Sequence, residues 1–214
     1  MSLPQLYPIL DAGTLATLCD PGELVDFLLQ TATELFAAGC ALMQLRAKQM
    51  TADEQLWLAQ AVRQALPSAT LILNDRADLA VAAGFDGVHV GQEDLSPEAA
   101  RTLVGPGRIV GLSTHNAQQF AAALLEPVDY LALGPVFATV SKANADPVVG
   151  LEGVRAARRL LIESGKAVPL VAIGGINREN ARAVLAAGAD SVAVIGDLCR
   201  APGDSARAFF RLML

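Results

Sequence analysis

Short apolar runs alternate with amphipathic stretches along the whole 214-residue chain. Eight runs read as strands: Leu6–Leu10, Ala41–Arg46, Thr70–Asn74, Gly87–Val90, Ile109–Leu112, Tyr130–Gly134, Pro169–Ile173 and Ser191–Ile195. Helical patterns separate them near 23–38, 52–66, 77–83, 96–104, 116–125, 150–164 and 178–187, and one more follows at 204–213. Thr51 before Asp53-Glu54, Ser96-Pro97-Glu98, and Asn177 before Glu179 are helix-start signals. Gly39, Gly84, Gly165 and Gly188 are helix-end signals. Strands that alternate with helices pair in parallel, because each needs a crossover to return the chain to the same edge. Eight such units in this length predict an α/β fold, a single-domain (β/α)8 TIM barrel near the lower end of its size range. A doubly wound open sheet is the alternative, although eight strands would be many for it.

The hydrophobic fraction of 53% and mean hydropathy of +0.40 fit a parallel sheet buried on both faces. No run of about 20 apolar residues suggests a membrane span. Met1-Ser2-Leu3-Pro4 opens no basic-then-apolar leader, so no signal peptide is expected. A net charge of −6 without a basic stripe argues against nucleic acid as a partner. Any bound phosphate must therefore be held locally, by a few cations, a metal or backbone N–H groups. Cys19, Cys40 and Cys199 are odd in number and lack a Cys-x-x-Cys spacing, which disfavours a disulfide framework or zinc. A reducing, cytoplasmic location is the expectation.

In a barrel of this kind, chemistry collects at the C-terminal ends of the strands. Asp75 follows the third strand and Asp94 the fourth. Two carboxylates at one end suit Mg²⁺, which is held by one or two carboxylates together with phosphate oxygens. Taken singly, either could instead cap the helix that follows. Arg46, Lys48 and Lys142 follow other strands, so the combination reads as a site for a metal-bound diphosphate. Strand alternation points Gln44 and Arg46 to one side, toward a polar ligand or an internal ion pair with an acid. Gly174-Gly175 and Gly196 stand where barrels bind phosphate through backbone N–H groups. Ser113, Thr139 and Ser141 suit phosphate oxygens, with no evident base to make any of them a nucleophile. His89 reads as a hydrogen-bonded core histidine, Trp57, Met43 and the phenylalanines as core, and Cys40 as a small apolar group.

Seven segments taken jointly carry a resemblance: Gln44-Leu45-Arg46-x-Lys48, Asn74-Asp75-Arg76-x-Asp78, Gly87-Val88-His89-x-Gly91-Gln92-x-Asp94, Gly111-x-Ser113-Thr114-His115, Gly134-Pro135-Val136-Phe137-x-Thr139-x-Ser141-Lys142, Gly150-Leu151 and Ile173-Gly174-Gly175-Ile176. The chain resembles the thiamine phosphate synthases over nearly its full length. That resemblance implies the Mg²⁺-dependent joining of a hydroxymethylpyrimidine diphosphate to a hydroxyethylthiazole phosphate, with release of pyrophosphate. It implies Asp75 and Asp94 on Mg²⁺, and Arg46, Lys48, Asn74 and Lys142 on the leaving group, with Arg46, Lys48 and Lys142 catalytic. Gln44 and Ser113 would face the pyrimidine; Thr139, Ser141, Gly174, Gly175, Ile195 and Gly196 would hold the thiazole phosphate.

The chain departs from the family pattern at Ala47, Ser141, Asn144 and Gly196, none of them an implied metal or diphosphate ligand. Two other readings stand beside this one. Thiazole tautomerases are relatives that lose much of the diphosphate set and tend to carry His where this chain has Pro135. A non-catalytic sensor of phosphate ligands could use the same fold. The segment Val140–Val149 is expected to close over the site.

Overall fold

The computed structural model describes residues 2–139 and 146–213. The strands are β1 (Leu6–Asp11), β2 (Leu42–Arg46), β3 (Thr70–Asn74), β4 (Gly87–Val90), β5 (Ile109–Thr114), β6 (Tyr130–Leu133), β7 (Leu170–Ile173) and β8 (Ser191–Val194). The helices are α1 (Ala12–Leu15), α2 (Leu24–Ala37), α3 (Ala52–Ala65), α4 (Ala77–Ala82), α5 (Pro97–Val104), α6 (Ala117–Ala123), α7 (Gly150–Ser164), α8 (Ala181–Ala186) and α9 (Pro202–Met213). The strands pair in parallel in sequence order, and β8 pairs with β1, so the sheet closes and the open-sheet alternative is excluded. Among the described residues no helix is long and apolar enough to cross a membrane.

Closure divides the apolar residues into two cores. Tyr7, Ile9, Leu42, Ile72, Tyr130, Ala132, Val171 and Ala193 fill the barrel interior. The alternate strand residues, such as Leu6, Leu10, Met43, Leu45, Leu71 and Leu73, pack outward against the helices. Period-two alternation with both faces buried is why each strand reads as an unbroken apolar run.

Local signals set most element ends. Thr51 and Glu54 form a reciprocal capping box at α3, and the Ser96 hydroxyl accepts the Ala99 N–H at α5. Gly39, Gly84 and Gly188 turn helix into strand at φ of 108°, 68° and 116°, a region closed to most side chains. Two expectations are corrected and one element is added. The helix read from 178 begins at Ala181, because the Asn177 side chain accepts the N–H groups of Glu179 and Asn180 and caps a separate turn. The short α1 after β1 was not foreseen. Trp57 is not core: it is 58% exposed, since α3 buries the neighbouring stripe Leu58, Ala59 and Val62.

One device recurs at the N-terminal end of the barrel. Asp86, Asp129 and Asp190 directly precede β4, β6 and β8. Each accepts the backbone N–H of a residue at the start of the previous strand, Leu71 (2.8 Å), Val110 (2.8 Å) and Leu170 (2.7 Å). Each also pairs with an arginine of the adjoining helix: Arg63 of α3, Arg101 of α5 and Arg158 of α7. Ala41 occupies the corresponding place before β2. These brackets tie the bottom of the barrel and leave the other end to the loops.

Candidate active site

The C-terminal ends of the strands enclose a cavity of about 1080 Å³. Gln44, Arg46, Lys48, Asn74, Asp75, Asp94, Ser113, Thr139, Gly174, Gly175, Ile195 and Gly196 all line it. Ser141 and Lys142, with most of the segment expected to close over the site, lie outside the described residues.

On one side stand the carboxylates. Asp75 adopts φ 65°, a left-handed conformation uncommon for a residue with a Cβ. Its N–H donates to the His89 carbonyl (2.7 Å), and Lys48 Nζ lies 3.0 Å from its Oδ2. An Asp94 oxygen accepts the Gly91 N–H at 2.8 Å, which turns its side chain back toward the end of β4. Neither residue caps the following helix. The N-cap of α4 is Arg76, which makes no side-chain cap bond, and that of α5 is Ser96. Burial pushes the Asp75 carboxyl up to about 6; the adjacent Asp94 carboxyl adds to this and Lys48 opposes it. Among the described residues no three His, Cys, Asp or Glu side chains form a metal set. Two crowded carboxylates, one of them held against solvation, nonetheless fit a hard divalent cation whose remaining ligands come from phosphate and water.

Arg46 realises the internal ion pair that the sequence left open: its guanidinium binds Asp11, which is 3% exposed, while Arg46 still lines the cavity. Asp11 also accepts from the N–H (2.8 Å) and hydroxyl (2.7 Å) of Thr14, so it fixes both α1 and Arg46. Sequence reasoning ended the first strand one residue early and so missed Asp11, although it obeys the strand-end rule used for the other strands.

The opposite wall is backbone. Gly174 and Gly175 have φ of 99° and 64°, and an added Cβ would fall 2.6 Å from Pro135 Cα or 2.5 Å from the Ala138 carbonyl oxygen. Only glycine lets the chain pass this close to the loop after β6. Arg178 staples this loop to the one after β8: its N–H and Nε reach Asp197 Oδ2 (2.9 and 3.0 Å) and its Nη2 reaches Oδ1 (3.0 Å). Asn180 Nδ2 donates to the Gly175 carbonyl at 3.0 Å. Asp197 and Asn177 also line the cavity and were missed, because only the packed loops bring them there.

The floor is polar as well. His89 is buried, as expected, but it also lines the cavity, with Nδ1 2.8 Å from Tyr130 Oη and Nε2 2.8 Å from Ser113 Oγ. His115 lies at the rim, with Nδ1 2.7 Å from the Gly134 carbonyl and 3.5 Å from Asp146 Oδ2.

Residues 15–198 match the family model described as thiamine monophosphate synthase. The whole chain is 53% identical to a thiamine-phosphate synthase of Koribacter versatilis and covers 97% of it. It is 43% identical to that of Azorhizobium caulinodans over 180 residues, 82% of this chain and 81% of the relative. A thiamine phosphate pyrophosphorylase from Pyrococcus furiosus superposes with a TM-score of 0.79 at 30% identity, over 97% of this chain and 94% of that one. A 3-hexulose-6-phosphate synthase, at 18% identity and a TM-score of 0.67 over 98% of this chain and 99% of that one, is similar in fold alone. With a family model spanning most of its length and a full-length relative at this identity, the chain belongs to the thiamine monophosphate synthase family.

Proposed function

We propose that this chain is a thiamine-phosphate synthase, a transferase that joins hydroxymethylpyrimidine diphosphate to hydroxyethylthiazole phosphate and releases pyrophosphate. The observation that carries this reading is one cavity with two different anion walls, carboxylates and lysine on one side and glycine backbone on the other. A donor diphosphate suits the first wall and an acceptor monophosphate the second, which brings the two reacting carbon and nitrogen atoms between them.

The bond that breaks joins the pyrimidine methylene carbon to a diphosphate oxygen; the bond that forms joins that carbon to the thiazole nitrogen. The nitrogen already carries its lone pair, so no strong base is required. Arg46, Lys48 and Asn74 stabilise the negative charge that develops on the leaving group, and Lys142 joins them by the family resemblance. Asp75 and Asp94 would hold Mg²⁺, which when bound neutralises diphosphate charge. Gln44 and Ser113 orient the pyrimidine. Thr139, Ser141, Gly174, Gly175, Ile195 and Gly196 hold the thiazole phosphate, and holding both reactants supplies much of the rate. A thiazole tautomerase would have no use for the carboxylate pair beside Lys48.

The test is pyrophosphate release by purified protein with both substrates and Mg²⁺, against controls lacking the thiazole phosphate or the metal. Thiamine phosphate formation that requires both substrates supports the reading; its absence in folded protein that binds thiazole phosphate refutes it.

A further inference from the structure

Beneath the cavity, five side chains from five strands form an unbroken hydrogen-bond chain. Gln44 Nε2 donates to Tyr7 Oη at 3.1 Å. Tyr7 Oη and Tyr130 Oη are 3.1 Å apart, Tyr130 Oη and His89 Nδ1 2.8 Å, and His89 Nε2 and Ser113 Oγ 2.8 Å. Tyr7 and Tyr130 are each 1% exposed, and the His89 ring stacks on that of Tyr130 with centroids 5.4 Å apart. Gly111 makes room for this arrangement: a Cβ there would lie 2.0 Å from Tyr130 Cζ.

The chain has a preferred sense. Gln44 Nε2 can only donate, so Tyr7 Oη accepts from it. The Tyr7 proton then needs an acceptor in a buried setting, and Tyr130 Oη is the one within reach. Tyr130 in turn donates to His89 Nδ1. An imidazole that accepts at Nδ1 carries its proton on Nε2, which donates to Ser113 Oγ. Running the bonds in reverse would leave the Tyr7 proton buried without a protein acceptor.

We propose that this relay fixes the Ser113 hydroxyl as a hydrogen-bond donor into the cavity, with His89 and Tyr130 as positioning residues for the pyrimidine. Ser113, already accepting from His89, directs its own proton outward. Gln44, donating inward, offers its carbonyl oxygen outward. A fixed donor and a fixed acceptor match an aminopyrimidine, whose ring nitrogens accept and whose amine donates. The proposal rests on the synthase reading for its ligand, but the direction of the relay is a property of the protein alone.

Two measurements separate these. Nitrogen-15 NMR of the histidine rings in the substrate-free protein reads the His89 tautomer directly; Nε2–H is expected, and Nδ1–H would overturn the proposal. Tyr130→Phe keeps the stacked ring and removes the bridging hydroxyl. In that variant the His89 signals should shift toward a mixture of tautomers. KM for the pyrimidine diphosphate should rise about tenfold, the equivalent of one hydrogen bond, while KM for the thiazole phosphate stays within about twofold. Equal losses for both substrates, or a lowered melting temperature with no selective change in KM, would make the network structural only and overturn the positioning role. If Tyr130→Phe does not fold, the wild-type tautomer decides the direction. A wild-type protein without synthase activity would refute the function and leave the relay to be judged on its nitrogen signals.

Discussion

Asp75→Asn should make the metal-free protein more stable while impairing it as an enzyme. The Asp75 carboxyl is 20% exposed, and its pKa rises from 3.8 to about 6 despite Lys48 at 3.0 Å. At about 1.4 kcal/mol per pH unit, ionised Asp75 costs the folded state up to about 3 kcal/mol at neutral pH. Asparagine tolerates left-handed φ about as well as aspartate, so the substitution removes the charge without a new backbone penalty at φ 65°. Below about pH 4 the carboxyl is protonated in both folded and unfolded chains, and wild type and variant should be equally stable. As pH rises through about 6 the wild type loses the stability that the bound proton gave it, and the gap should then stay constant. For a domain of this size the full difference corresponds to about 6–12 °C in melting temperature. Thermal unfolding in EDTA from pH 4 to pH 8 measures it. If the carboxylate pair holds Mg²⁺ as proposed, adding the ion should raise the wild-type melting temperature at pH 8 and leave that of Asp75→Asn nearly unchanged. A variant no more stable than wild type at pH 8 in EDTA, or a gap independent of pH, would refute the reasoning.

Three further outcomes are expected. Asp94→Asn keeps an acceptor for the Gly91 N–H but loses the charge, so turnover should fall by about a hundredfold or more with little change in melting temperature; near-wild-type kcat in Mg²⁺ would remove Asp94 from the metal site. Arg178→Ala cuts the staple to Asp197, so steady-state kinetics should show a rise of about tenfold in KM for the thiazole phosphate and little change for the pyrimidine diphosphate. Asp129→Ala leaves Arg101 and the Val110 N–H without their partner at the bottom of the barrel, which should cost about 2 kcal/mol, seen in urea unfolding, with KM for both substrates unchanged.

Sequence alone determined the architecture, because its signals are local. Apolar runs set the strands, Thr51 and Ser96 set helix starts, and Gly39, Gly84 and Gly188 set the returns into strands. Eight repeats of that pattern leave closure as the natural outcome, and closure puts Asp75, Asp94, Gly174 and Gly196 at one mouth. What each of these residues touches was decided only by tertiary structure. Arg46 meets Asp11 from 35 positions away, and Tyr7 meets Tyr130 from 123. Neither meeting follows from any period along the chain, since it depends on which strands become neighbours and on how deep each side chain sits. His89 shows the difference most clearly. Its place in an apolar strand marks it as buried, which it is, but only the packed barrel puts Tyr130 on one of its nitrogens and Ser113 on the other. Trp57 shows it in reverse: its size suggests core, yet one step around α3 from the buried stripe turns it to solvent. Periodicity records which residues leave water, and the closed barrel decides what they meet when they do.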